Sequence, residues 1–321
     1  MVSVHLFSEA DVARLLPMSL ALETVEAVFR WQAAGQTVNR PRVRLRAPAG
    51  LLQVMPASVP EVGAMGLKAY TVLKGRVQFV VLLFSTESGA LQAIVEADRL
   101  GQIRTGAASG VATKYLARAD AEVVGCYGTG YQAETQLEAI CAVRKIRRIQ
   151  VFGRDPERRR RFAQTMAEQL NVETIPVDRP EDAARGASIL VTITNSKTPV
   201  LQGAWIEPGS HINAAGSNAL DRAEIDVEAV RRASLVVADS REQAQIECGD
   251  LVEPIKQDVI SWEQVRELGE IVAGKAQGRP TPEAITLFES QGLAMEDVAV
   301  GARVLERAWA QGIGREIAFG E

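Results

Sequence analysis

Residues 121–140, AEVVGCYGTGYQAETQLEAI, place an apolar run before Gly128-Thr129-Gly130-Tyr131-Gln132-Ala133 and good helix formers after it. Strand, tight turn and helix in that order are what binding a dinucleotide requires. Gly128 permits the sharp turn, Gly130 lets a pyrophosphate approach the backbone, and the small Ala133 lets the helix lie close on the sheet. The phosphates then meet N–H groups at the positive helix end, with Thr129, Tyr131 and Gln132 in the same loop.

Three kinds of cation could act on a substrate. Lys68 stands in a strand, GLKAYTV, otherwise made of apolar and small residues; facing a cleft, it would lose solvation, drop in pKa and suit proton transfer. Its plainer reading is a surface lysine of an edge strand. Arg40, Arg42, Arg44 and Arg46 alternate, so one extended strand would put all four on one face, either as a solvated edge or with one of them holding an anionic group. Arg104 lies early in a helix over 97–117, where a surface arginine is the plain alternative.

The second strand of the nucleotide-binding unit, 149–152, ends in Gly153-Arg154-Asp155-Pro156. Asp155 reads as an N-cap with Pro at the first helical position. Gly153 occupies the strand end where NAD-binding proteins carry a carboxylate for the ribose, and Arg154 follows it. Arg158 to Arg161 put positive charge in the first helical turns, against the helix dipole, which an additional 2′-phosphate would reverse. NADP(H) is therefore favoured, with NAD(H) the alternative and a solvated basic face the bland one. Thr192, Thr194, Ser217 and Asn218 stand at or just past the carboxyl ends of later strands, where ligands bind in such sheets.

The elements that must position these groups fall into two sets. Apolar residues at helical spacing follow Ser8, and Pro17 splits them into two helices. Segments 50–55, 66–73, 77–84 and 90–96 read as strands of an antiparallel meander. Within it, 79–84 is apolar at every position and predicts burial on both faces, under a helix layer or a second subunit. In the 97–117 helix the glycines and alanines around Gly106 predict close approach of another backbone or a ligand. From there strands near 173–177, 188–192, 211–215 and 235–238 alternate with helices, and 285–292 with a helix over 295–311 leads back to the first part. The predicted fold class is α/β: a Rossmann-type doubly wound domain, 118–295, plus an α+β substrate and dimerisation domain, 1–117 with 296–321, built on an antiparallel sheet.

The 321 residues are 47% hydrophobic and 24% charged, and 36 basic against 40 acidic residues give no electrostatic reason to expect nucleic acid or an anionic membrane. No apolar run reaches a membrane-spanning length and no N-terminal stretch has a leader pattern, so the expectation is a cytoplasmic protein. Cys126, Cys141 and Cys248 lack metal-ligand spacing, and the two histidines, His5 and His211, form no cluster with them; neither a metal site nor a Ser-His-Asp hydrolase is predicted.

Together Val54 to Ala57, Gly66-Leu67-Lys68, Arg104 to Ser109, Gly128 to Ala133, Ile212 to Gly216 with Glu224-Ile225-Asp226, and Phe288 to Asp297 (FESQGLAMED) run nearly end to end. With these segments the chain resembles the ornithine cyclodeaminase/mu-crystallin family, which also holds archaeal-type alanine dehydrogenases and ketimine reductases. The resemblance implies a homodimer through the N-terminal sheet and hydride transfer at an amino-acid Cα. It implies that Arg104 and Arg42 hold the substrate carboxylate, that Lys68 orients the nitrogen and moves a proton, and that Thr105 joins the cofactor site. Cyclodeaminases carry an Asp where this chain has Asn218, an amide that cannot act as a general base; Asp221 is the nearest substitute. The reading is an NAD(P)H-dependent reductase of a small imino acid or ketimine, or a reductive aminase of a 2-oxo acid. The alternatives are an ornithine cyclodeaminase-type lyase using NAD+ catalytically and a non-catalytic dinucleotide-binding protein.

Overall fold

The computed structural model describes residues 2–320. In chain order it begins β1 (Val2–Phe7), α1 (Glu9–Leu15), α2 (Met18–Ala33), β2 (Val38–Asn39), β3 (Val43–Ala47), β4 (Gly50–Val59), β5 (Ala64–Leu73), β6 (Arg76–Ser85), β7 (Leu91–Glu96) and α3 (Asp98–Leu116). It continues with β8 (Val123–Tyr127), α4 (Tyr131–Val143), β9 (Arg148–Phe152), α5 (Pro156–Leu170), β10 (Glu173–Pro176), α6 (Pro180–Ala184), β11 (Ile189–Thr192) and β12 (His211–Ala214). Then come α7 (Val227–Arg232), β13 (Ala233–Ala238), α8 (Arg241–Glu247), α9 (Val252–Lys256), β14 (Arg266–Glu267), α10 (Leu268–Val272), β15 (Ile285–Glu289), α11 (Ala294–Gln311) and β16 (Arg315–Phe319). Two units result: a first unit up to Arg104 together with Leu293 onward, and a second from Thr105 to Gly292.

The first unit is a mixed sheet ordered β16-β1-β7-β6-β5-β4-β2, with β3 also paired to β4. β4 to β7 form the predicted antiparallel meander. β1 and β16, which the sequence pattern did not mark, extend it. Pro17, lacking an N–H, separates α1 from α2, and α1 starts in a capping box in which Ser8 and Asp11 bond each other's backbone N–H. α11 packs on β4, β5 and β6. Strand alternation turns Met55, Lys68, Val81 and Leu83 to that side.

Among the described residues, the opposite face of this sheet is left largely uncovered. Val43, Leu45, Leu52, Met65 and Leu73 are 36–54% exposed there, and Leu67, Val80 and Leu82 between them are half-buried. The expected two-sided burial of 79–84 is thus met on one face only. The arginine alternation also breaks: Arg40 and Arg42 lie between β2 and β3, separated by Pro41, so the four do not share one strand face. Arg42 is buried, whereas Arg40 and Arg46 are exposed.

The second unit is a parallel sheet ordered β10-β9-β8-β11-β12-β15-β13-β14, with apolar clusters on both faces, as a doubly wound domain requires. Ile285–Glu289, expected only as part of the way back, is a central strand, buried at all five positions. In α3, Gly106 fulfils the close-approach expectation, since a Cβ there would lie 2.3 Å from the Thr135 carbonyl oxygen of α4. The last carbonyls of α3 accept hydrogen bonds from Arg144 (Thr113, Lys114, Ala117) and from Arg279 (Leu116).

Candidate functional site

In the first unit the three cations singled out from the sequence come together. β5 is a central strand, and Lys68 on it is 3% exposed, not an edge-strand surface residue. Arg104 on α3 is 6% exposed and Arg42 7%. Lys68 Nζ lies 3.0 Å from Asp297 Oδ1, the oxygen that also accepts from Arg104 Nε at 3.0 Å. Arg104 Nη1 donates to Glu296 Oε2 at 3.0 Å. Arg42 Nε meets the Met55 sulfur at 3.3 Å, and its guanidinium lies 6.0 Å from the centre of the Tyr70 ring. Lys68 Nζ is 5.0 Å from the Phe79 ring centre. A Cβ on Gly101 of α3 would come within 2.6 Å of Lys68 Nζ, so this glycine makes the space the ammonium occupies.

Burial brings the Lys68 ammonium down to about 8, with Asp297 pulling the other way and the neighbouring Arg104 and Arg42 adding to the fall. Burial also works against the charge of Arg104, but Asp297 and Glu296 outweigh it and hold the guanidinium firmly ionised. Glu296 and Asp297, both fully buried, carry no assigned role in the sequence beyond their place in the segment FESQGLAMED. Two acids opening a helix read as complement to its dipole. Their signal was an adjacent acidic pair in a helix whose following residues are almost all apolar or small.

In the second unit, β8 runs into Gly128, whose φ of +128° suits glycine and whose absent Cβ would lie 2.4 Å from the Ile193 carbonyl oxygen. Gly130 is the N-cap of α4 and contributes no side-chain bond; the nearest atom to a Cβ there would be Arg158 Nη2, 3.9 Å away. Ala133 is fully buried. Asp155 caps α5 as predicted, accepting from the N–H of Glu157 and Arg158. Arg158 Nε donates to the Thr129 carbonyl at 3.0 Å, beside the glycine turn, and Arg154 is exposed at the end of β9. Arg159, by contrast, is buried and bonds the Gly153 carbonyl and Asp178.

The strand ends of this unit are fixed by buried carboxylates, of which only Glu224 stands in a segment that carries the family resemblance. Glu224 accepts from Thr194 N at 2.5 Å, Thr194 Oγ1 at 2.6 Å and Gly216 N at 2.7 Å, tying the loops after β11 and β12. Asp250 accepts from the N–H of Glu224 and Ile225, and Asp239 from those of Gln291 and Gly292. Burial pushes Glu224 and Asp239 up to about 7 and Asp250 up to about 6, their backbone bonds acting in the opposite sense.

Buried Thr192 Oγ1 and Gln132 Oε1 have no bonding partner among the described residues, and the space over Gly130 is open; the residues present fit a dinucleotide. Thr105 accepts a bond from Gln136 through its carbonyl, Tyr131 is exposed, and Ser217 Oγ bonds the carbonyl of Arg222. Asn218 is half-buried. Asp221 points to solvent, 3.8 Å from Lys197. His211 is a satisfied core residue between Thr286 and Asn213, and burial drives the Cys126 thiol up to about 12. Among the described residues no group of three or more His, Cys, Asp or Glu could hold a metal, and no helix is long and apolar enough to cross a membrane.

A Rossmann-type unit with an intact glycine turn, carried in one chain with a sheet unit bearing a buried cationic cluster, defines the class of protein. The chain belongs to the ornithine cyclodeaminase/mu-crystallin family, whose family model matches residues 3–312. It is 39% identical over 274 residues to a Delta(1)-pyrroline-2-carboxylate reductase of Bacillus cereus, covering 83% of this chain and 84% of that one. The structure of the Thermococcus litoralis Delta(1)-pyrroline-2-carboxylate reductase with NADH and L-proline superposes with a TM-score of 0.94 at 36% identity, over 98% of this chain and 100% of that one. An archaeal alanine dehydrogenase dimer with bound NAD gives a TM-score of 0.93 at 35% identity, over 99% and 100% of the two chains.

Proposed function

We propose that this chain reduces a small 2-imino acid, or the imine of a 2-oxo acid and an amine, to the amino acid, with NADPH preferred over NADH. The observation that carries this is the single buried oxygen, Asp297 Oδ1, bonded to both Lys68 and Arg104, with Arg42 beside them. Cations outnumber carboxylates there, as capture of a small anion requires. Arg104 and Arg42 hold the substrate carboxylate; a guanidinium has five N–H donors, more than the bonds from Arg104 to Asp297 and Glu296 consume. Lys68 donates to the imine nitrogen, and with a pKa near 8 it is mostly protonated at neutral pH yet able to release its proton.

When bound, the nicotinamide supplies the hydride that Cα receives. Gly128, Gly130, Ala133 and the start of α4 hold the pyrophosphate, with Thr105, Thr129, Tyr131, Gln132, Thr192, Thr194, Ser217 and Asn218 as the polar surround. Arg154 and Arg158 take the 2′-phosphate, which rests on the exposure of Arg154 at the strand end and on Arg158 reaching the Thr129 carbonyl. Asn218 cannot activate water, which favours reduction over cyclodeamination. The uncovered apolar sheet face pairs with a second copy, a reading supported by the similar archaeal alanine dehydrogenase being a dimer.

The test is side-by-side oxidation of NADPH and NADH with cyclic and acyclic imino acids and with 2-oxo acids plus amines. NADPH is consumed with at least one of them, and Lys68→Ala or Arg104→Ala lowers kcat/KM by about 10² to 10⁴. Arg154→Ala and Arg158→Ala each reduce the NADPH preference roughly tenfold. Proline formed from ornithine without net NADH would replace this reading by a cyclodeaminase. Cofactor binding with no turnover on any substrate would replace it by a non-catalytic binder.

A further inference from the structure

The buried charges of the first unit can be summed. Among its described residues the buried ionisable side chains are Arg42, Lys68, Arg104, Glu296, Asp297 and His5. His5 is not part of the cluster: its ring bonds Trp309 and lies 3.6 Å from Glu316. The cluster therefore holds three cations against two carboxylates. Asp98, which interacts with Lys68, and Arg46 are exposed, and Arg44 on the edge strand β3 is half-buried on the cluster's side of the sheet; water screens these three charges. Met55, Tyr70 and Phe79, which Arg42 and Lys68 touch, offer a second carboxylate no donor of full charge.

We propose that Glu296 and Asp297 make this a site for one carboxylate only, so that the substrate is a 2-imino monocarboxylate with an apolar remainder and not a 2-imino dicarboxylate. The proposal rests on the reductase reading above. One bound carboxylate brings the total to zero, whether the shared proton lies on Lys68 or on a neutral imine's nitrogen. A second carboxylate would leave an uncompensated negative charge in a water-poor site beside two buried acids. Glu296 is then the specificity-determining residue: it bonds Arg104 Nη1, whereas Asp297 also orients Lys68.

The experiment compares kcat/KM for Δ1-pyrroline-2-carboxylate and iminosuccinate in the NADPH-loaded wild type and in Glu296→Gln. The wild type prefers the monocarboxylate by roughly a hundredfold, and the variant narrows that ratio at least tenfold by leaving one more positive charge. Equal or better use of iminosuccinate by the wild type, or an unchanged ratio in the variant, overturns the proposal. A binding series on the wild type alone separates charge from size and does not depend on the variant folding: pyrrole-2-carboxylate, its 5-carbamoyl derivative and pyrrole-2,5-dicarboxylate, titrated into the NADPH complex. The carbamoyl compound binds at least tenfold more tightly than the similarly shaped dicarboxylate; equal binding refutes the charge argument. If the ligands rank as expected while no imine is reduced, the reductase reading has failed and the charge assignment stands.

Discussion

Gly101 has no atom beyond Cα, and that absence sets where Lys68 puts its charge. Gly101→Ala would bring a methyl within 2.6 Å of Lys68 Nζ while improving helix propensity by about 1 kcal/mol. The expected result is a kcat/KM at least tenfold lower with a melting temperature unchanged or raised; a parallel loss of both would mean the glycine matters only to packing. Asp297 opposes the desolvation of Lys68, so in Asp297→Asn the Lys68 pKa falls below about 8. In the role proposed for it Lys68 acts protonated, so the alkaline limb of the kcat/KM profile should move to lower pH; a fixed limb would assign it to another group. Lys68, Arg42 and Arg104 were legible in the sequence as cations in unusual company. Their burial was not: the acid that holds Lys68 and Arg104 lies 229 and 193 residues further along the chain.

At the scale of elements, the carboxyl end of the parallel sheet is held by acids with few cations near. Glu289 at the end of β15 is fully buried, with Oε1 unbonded and Oε2 3.3 Å from the Cys248 sulfur. Burial raises its pKa well above the ordinary value, and Asp250, Glu224 and Asp239 add to the rise. A carboxyl with a raised folded pKa contributes stability below its unfolded pKa and loses it as pH climbs through the folded one. Glu224 and Asp239, near 7, follow the same sign, so the urea midpoint should be lower at pH 8 than at pH 5. Glu289→Gln should be close to neutral at pH 5 and stabilising at pH 8; destabilisation at both would mean that a carboxylate is needed there. The sequence foretold most of the sheet strands around these acids, since runs such as 188–192 are apolar with turn residues behind them. It did not mark β1 or β16, because their pairing partners are remote and the strands lie towards the sheet edge.

For the whole molecule, the proposed association rests on the uncovered sheet face. Leu45→Arg with Leu52→Arg, both on exposed positions of that face, should convert a dimer to monomers in sedimentation and make stability independent of protein concentration. A variant that stays dimeric would move the interface elsewhere. The sequence suggested a second cover for 79–84 without saying what provides it, because alternation reports which face is apolar and not what lies on it. The shared Asp297 oxygen also has a consequence for synthesis. Lys68 and Arg104 leave the ribosome early, but Glu296 and Asp297 belong to α11, behind the entire second unit. Unpaired cations resist burial, so the second unit is free to fold as it emerges while the cationic cluster waits in water for its acids. The first unit, although it starts the chain, is then the last to close. Nascent chains ending at residue 292 and extended by a linker long enough to clear the ribosomal exit tunnel should show a protease-resistant second unit and a digestible first one.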